Sequence, residues 1–128
     1  MSNENIELVL KKYGWLDGAL VLGIHFQTGL ELSQRTAAVE LKAFIVGADS
    51  KSGWRKIEIS TMGKSIFGWC EIPWETNLVL NYSVKLLRHG TYDIIDFDPL
   101  HAKISKEGAL LSSYFIGGAE LSIDESNP

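Results

Sequence analysis

Hydrophobic side chains recur along this chain with two periods, and the change of period marks its elements. Between Asn5 and Tyr13 the apolar residues Ile6, Val9, Leu10 and Tyr13 take the i, i+3, i+4 and i+7 positions of one helix face. Asn3 or Asn5 can cap the start, Glu7 suits the first turn, and Lys11 and Lys12 suit the last. Gly14 stands where a glycine commonly ends a helix. A helix this short is stable only when it packs on something.

From Leu20 the period becomes two. Leu20, Leu22, Ile24 and Phe26 alternate with Val21, Gly23, His25 and Gln27, which predicts a strand with one strongly apolar face. Ala37 to Val46 predicts a second strand, with Val39, Leu41 and Ile45 opposite Glu40 and Lys42. A Gly/Ser/Asp cluster from Gly47 to Gly53 then turns the chain. Trp54 to Thr61 alternates again, with Ile57 and Ile59 on one face and Trp54, Lys56 and Glu58 on the other, so a hairpin is predicted. A short strand is predicted around Ser65 to Trp69. Leu78 to Arg88 reads as the longest clean strand, followed through Gly90 by Tyr92 to Phe97 as a second hairpin. Asp98-Pro99 ends that strand. The last apolar run, Tyr114 to Ile123, is interrupted by Gly117-Gly118, which predicts a bulge or turn. Residues 124–128 read as a frayed polar tail.

Consecutive hairpins without long helices predict a mainly β, antiparallel fold. The expected architecture is a β-sandwich or strongly bent sheet of six to seven strands with one short N-terminal helix, as a single domain over residues 1–128. With 128 residues, of which 45% are hydrophobic, the chain can bury roughly two-thirds of its unfolded surface and needs no metal or disulfide staple. Cys70 is the one cysteine, so no intrachain disulfide forms and a reducing compartment is expected. The polar N-terminus shows no secretory leader, and no stretch approaches the roughly 18 apolar residues of a spanning helix. A cytoplasmic location and no membrane contact are the expectations.

The net charge is −4, which argues against nucleic-acid binding. Its distribution is more informative. Residues 1–90 carry ten basic and nine acidic side chains, whereas residues 91–128 carry Lys103 and Lys106 against seven acids. The sharpest local cluster is Asp93, Asp96 and Asp98. As a cation site it is poorly arranged, because Asp93 points to the opposite strand face from Asp96 and Asp98, and no glycine turn or later bidentate Glu follows. It reads as a solvated acidic edge that would steer a basic partner. Trp69 and Trp74, in the least regular stretch, and Trp54, on a polar strand face, are candidate contact residues, since tryptophan is enriched at interface hot spots. The alternative for them is packing at the end of the sandwich.

Signals for catalysis are few. His25, His89 and His101 have no metal-ligand spacing, and no serine sits in G-x-S-x-G. His101 and Asp98 could form an acid–base unit, against a plain loop hydrogen bond as the simpler reading. No catalytic residue, metal or cofactor is assigned.

Tyr13-Gly-Trp-Leu-Asp17-Gly18 before the first strand, the Gly53-Trp54-Arg55 hairpin arm, and Tyr92 to Pro99 together resemble small β-rich bacterial immunity proteins of polymorphic-toxin systems. The resemblance implies an acidic protein that binds a cognate toxin and occludes it, and it carries over no individual residue. The expected function is therefore non-enzymatic protein binding through Asp93, Asp96, Asp98, Trp54, Trp69 and Trp74. The alternatives are a pocket for a small molecule between sheet and helix, and a self-associating module that forms a homo-oligomer.

Overall fold

Both predicted hairpins are present: Trp54 to Met62 pairs with Thr36 to Phe44 in the middle of one sheet, and Tyr92 to Asp96 pairs with Lys85 to His89 at the edge of a second. The computed structural model describes residues 3–27, 35–48, 53–68, 78–80, 83–104, 110–112 and 114–126. The elements are α1 (Asn3–Lys12), β1 (Leu20–Gln27), β2 (Thr36–Phe44), β3 (Trp54–Met62), β4 (Ile66–Gly68), β5 (Leu78–Val79), β6 (Lys85–His89), β7 (Tyr92–Asp96), β8 (Lys103–Ile104), β9 (Leu110–Leu111), β10 (Phe115–Gly118) and β11 (Glu120–Ser126). One sheet has the order β11-β3-β2-β1-β5 and a second β4-β10-β7-β6, with β8-β9 as a separate two-stranded ribbon. All the described pairings are antiparallel. The mainly β, antiparallel architecture with one N-terminal helix is thus present.

Eleven strand segments are described where six to seven runs were expected, because several runs pass from one sheet into the other. β3 continues through Gly63 into β4, and β10 continues through Ala119 into β11. The last residues of β11, Asp124 to Ser126, pair with Glu58 to Lys56, so the expected frayed tail is corrected over these three residues. These two bent runs pair on both sides of the corner, Glu120 opposite Met62 in one sheet and Gly117 opposite Ile66 in the other. The corner explains the paired glycines. A Cβ on Gly118 would sit 2.9 Å from the Met62 carbonyl oxygen and 3.1 Å from Thr61 Cβ, so only glycine lets the backbones pass. Buried Thr61 satisfies the groups the bend frees: its hydroxyl accepts from the Ala37 N–H at 2.9 Å and lies 2.6 Å from the Ser65 hydroxyl.

Leu78 to Arg88 is likewise not one strand. Leu78–Val79 pairs with β1, Lys85–His89 pairs with β7, and Leu80 and Val84 between them are buried in the core. Alternation alone cannot show where a run leaves one sheet for another, since Leu80, Tyr82 and Val84 keep the period of two in the sequence through the crossing.

The faces of β1 also differ from the simple alternation. The register with β2 shifts between Val21 and Gly23, so Val21 opposes Leu41 and Ile24 opposes Val39. The bulge falls at Leu22 and exchanges the two faces. Val21 and Ile24 therefore contribute to the core, while Leu22 is turned outward. Phe26 stacks on Phe67 of β4 at 4.0 Å, with Arg35 over the same Phe67 ring, and this closes one side between the sheets.

The main core lies between the sheets and under α1, where Ile6, Leu10, Leu16, Val39, Leu41, Ile57, Ile59, Ile95 and Ile116 are fully buried. A smaller apolar cluster on the far side of the second sheet joins Ile94 and Leu111, with Ile66, Leu87, Tyr92 and Phe115 around them. Beyond α1 the chain makes a left-handed turn: Gly14, Trp15 and Leu16 have φ of 60°, 56° and 63°. Non-glycine residues pay roughly 1–2 kcal/mol each for this conformation. Backbone bonds hold it in place, from Val84 N–H to the Trp15 carbonyl at 2.9 Å and from Gly18 N–H to the Leu80 carbonyl at 2.7 Å.

A polar clasp fastens the end of α1 to β11. The buried Tyr13 hydroxyl donates to Glu125 Oε1 at 2.6 Å, and Lys12 Nζ reaches the same oxygen at 2.9 Å. Burial, then the bond to Glu125, push the Tyr13 phenol far above its ordinary value. The Tyr13 bond, with help from Lys12, holds the Glu125 carboxyl below its own. A depressed carboxyl contributes stability above its ordinary value and loses it as pH falls through the folded one; a raised phenol contributes below its ordinary value and loses it as pH rises. Tyr13→Phe should therefore cost about 1–3 kcal/mol at neutral pH, from the lost bond to a charged acceptor. It should also flatten the decline of melting temperature at both acid and alkaline ends. Parallel pH–stability profiles for the two proteins would contradict the clasp.

Candidate functional site

The acids singled out in the sequence are not an exposed edge. Asp93 and Asp96 are 6% and 1% exposed. β7 lies between β10 and β6, so its backbone has neighbours on both sides. Asp93 stands opposite Arg88 on β6, and the guanidinium meets its Oδ1 at 3.3 Å. Asp96 accepts from the Asp98 N–H at 2.9 Å, from the Ser112 N–H at 2.8 Å and from the Ser112 hydroxyl. The reading of a solvated acidic edge at these two residues is corrected: one balances Arg88, and the other ties the segment after β9 to the end of β7. Asp98 is half-buried beyond β7. Trp69, Trp74 and Cys70 lie outside the described residues. Pro99–His101 forms a single 3-10 turn. Among the described residues no group of three His, Cys, Asp or Glu side chains is placed to hold a metal ion.

Charge gathers instead on the outer face of the five-stranded sheet. In β2, β3 and β11 the odd-numbered residues from Ala37 to Ala43, Ile57 to Thr61 and Leu121 to Ile123 are buried, so the even-numbered ones face outward. The registers then line these residues up in rows across the strands. Phe44 is opposite Trp54, and Lys42 is opposite Lys56. Glu40 is opposite Glu58, and Glu58 is opposite Asp124. Ala38 is opposite Ser60, and Ser60 is opposite Ser122. Going along β2 from Phe44 to Ala38, the face is banded as aromatic, basic, acidic and small.

Directly opposed like charges destabilise a sheet. Part of that cost is offset diagonally, since Lys56 Nζ reaches Glu40 Oε1 at 2.5 Å, with side-chain exposures of 47% and 24%. The hydrogen bond to Glu40, and then its charge, hold the Lys56 ammonium above its ordinary value. Lys42 lies over the Trp54 ring at 5.9 Å, and Trp54 meets Phe44 edge-on at 5.3 Å. At the β1 end the acidic row meets Gly23, opposite Glu40, where a Cβ would lie 3.5 Å from both Glu40 Oε2 and His25 Nε2. Trp54, half-buried beside Lys56 and Glu58, is the one sequence-selected residue this face contains among those described.

Glu40, Lys42, Lys56, Glu58 and Asp124 were not selected from the sequence. Alternation had placed the first four on polar faces, but only register shows that they form rows. Compared with known proteins, the chain matches no protein-family model, no curated protein and no solved structure. Among the described residues no helix is long and apolar enough to cross a membrane.

Proposed function

We propose that this chain is a non-enzymatic protein-binding domain that docks a basic partner and acts by covering its surface, as an immunity-type inhibitor does. The observation that carries the reading is the row of carboxylates Glu40, Glu58 and Asp124 on three adjacent strands. A row of like charges is a local cost to the fold, and natural proteins keep such costs where a surface has work to do. The row would steer a cationic surface toward the sheet, and the aromatic pair Phe44 and Trp54 at one margin supplies anchors of the kind found at interface hot spots.

The test is to identify a captured partner by mass spectrometry and reconstitute the complex from purified components. Glu40→Lys, Glu58→Lys and Asp124→Lys together should lower the association rate by about tenfold or more at low salt. The wild-type rate should fall steeply as salt is added. The outward position of these side chains keeps the variant folded, which a thermal melt would verify. Equal association rates for the folded variant and the wild type would remove the acidic row as the docking surface.

A further inference from the structure

The bands have a second property that a steering patch alone does not need. We propose that this face is self-complementary and that a second copy of the chain docks on it, forming a weak two-fold dimer. The proposal rests on the reading of this face as a protein-docking surface, and it names an occupant.

The argument is one of order. Along the strands the rows run Phe44–Trp54, Lys42–Lys56, Glu40–Glu58–Asp124 and Ala38–Ser60–Ser122. Consider a two-fold axis lying in the plane of the face, across the strands, between the basic and acidic rows. Rotation about it turns the second copy face to face and reverses the row order, with each strand over its own counterpart. Glu40 then meets Lys42 of the second copy, and Glu58 meets its Lys56. By symmetry each contact occurs twice, as in any isologous interface. The same rotation places the bulky Phe44–Trp54 row over the small Ala38–Ser60 row. Charge and volume are thus matched by one operation. The core constrains neither pattern, since the inward residues of β2 and β3 alternate with these and are set separately.

In the single chain Glu40 and Lys56 satisfy each other diagonally, while Glu58 and Asp124 lie exposed. In the dimer the acidic row gains a second row of ammonium groups, which fixes orientation more than it adds affinity. Facing sheets pack about 10 Å apart. Four strands at about 4.8 Å spacing and roughly 20 Å of length give a buried area on the order of 1,000 Å² over both copies, the range of transient complexes. Dimerisation covers the acidic row, so a second copy and a basic partner compete for it.

Sedimentation equilibrium on the full chain tests this with two charge-swapped variants, Glu40→Lys/Glu58→Lys and Lys42→Glu/Lys56→Glu. The wild type should rise from the monomer mass of 14.2 kDa toward twice that value with increasing concentration, and less readily at high salt. On β2 and β3, where the two copies exchange charges, each variant alone presents two rows of one sign, and it should remain monomeric. An equimolar mixture should associate again, at least about tenfold more tightly than either variant alone. Far-UV spectra and melting curves establish that both variants are folded. A wild type that stays at the monomer mass up to about 1 mM overturns the dimer, and so does a mixture that stays monomeric. The outcome is separable from the partner reading: Lys42→Glu/Lys56→Glu abolishes the dimer but keeps the carboxylates, so capture of a basic partner should persist or strengthen.

Discussion

Asp96→Ala should lower the unfolding free energy by on the order of 3 kcal/mol. Asp96 is 1% exposed and takes hydrogen bonds from the Asp98 N–H, the Ser112 N–H and the Ser112 hydroxyl. Truncation leaves the Ser112 N–H without its acceptor in a buried site, at about 1–3 kcal/mol, and the Asp98 N–H without its acceptor in a half-buried one, where the cost is smaller. The Ser112 hydroxyl suffers less, because it can still donate to the Tyr114 carbonyl at 3.2 Å and accept from the Tyr114 N–H at 3.0 Å. The loss should concentrate where Ser112 is tied down, so amide exchange at Ser112 and Asp98 should rise more than in β2 or β3. Asp96→Asn should recover part of the effect, since its oxygen serves one set of donors while its NH2 faces the other. Denaturant midpoints measure all three proteins. A midpoint for Asp96→Ala equal to wild type would mean that the carboxylate is not structural, and would restore it as a candidate for binding.

The second large effect belongs to the helix. Leu10→Ala should cost about 2–5 kcal/mol, a large share of the roughly 5–15 kcal/mol that stabilises a typical domain. Leu10 and Ile6 are both 0% exposed, one turn apart on the face that α1 turns to the core. A helix of ten residues does not hold itself together in water. With Leu10 truncated, Ile6, Val9 and the Tyr13–Glu125 clasp must hold α1. Leu8→Ala is the matched control, because Leu8 is 65% exposed on the opposite side; it should change stability by less than about 0.5 kcal/mol. Equal losses for the two leucines would show that α1 does not pack as described.

These two predictions differ in how far they could be foreseen. Ile6, Val9, Leu10 and Tyr13 announce the buried side of α1 through spacing alone, and Gly14 announces its end. The i, i+4 relation is local, so any packed helix here must use that face. Asp96 gives no such signal. In sequence it is one of three carboxylates within six residues, and the natural reading is a solvated edge. What buries it is Ser112, which lies sixteen residues away in sequence. The rows of the outer face fall between these cases. Alternation assigned Glu40 and Lys42, and Trp54, Lys56 and Glu58, to polar faces. That Glu40 stands beside Glu58 rather than Lys56 depends on the β2–β3 register, which the long Gly/Ser/Asp turn leaves open.

By itself, then, the sequence determined the local geometry of the chain: the helix and its buried side, both hairpins, the Gly90 turn, and a mainly antiparallel β fold. Periodicity encodes these because backbone geometry repeats every 3.6 or every 2 residues whatever lies across from it. Tertiary structure alone decided four things: the bulge at Leu22 that exchanges the faces of β1, the splitting of Leu78 to Arg88 between sheets, the burial of Asp93 and Asp96, and the banding of Glu40, Glu58 and Asp124 beside Lys42 and Lys56. Each of these depends on which strand lies next to which and in what register. A residue's partner across a sheet is chosen by the fit of the whole core, and no spacing within its own strand records that choice.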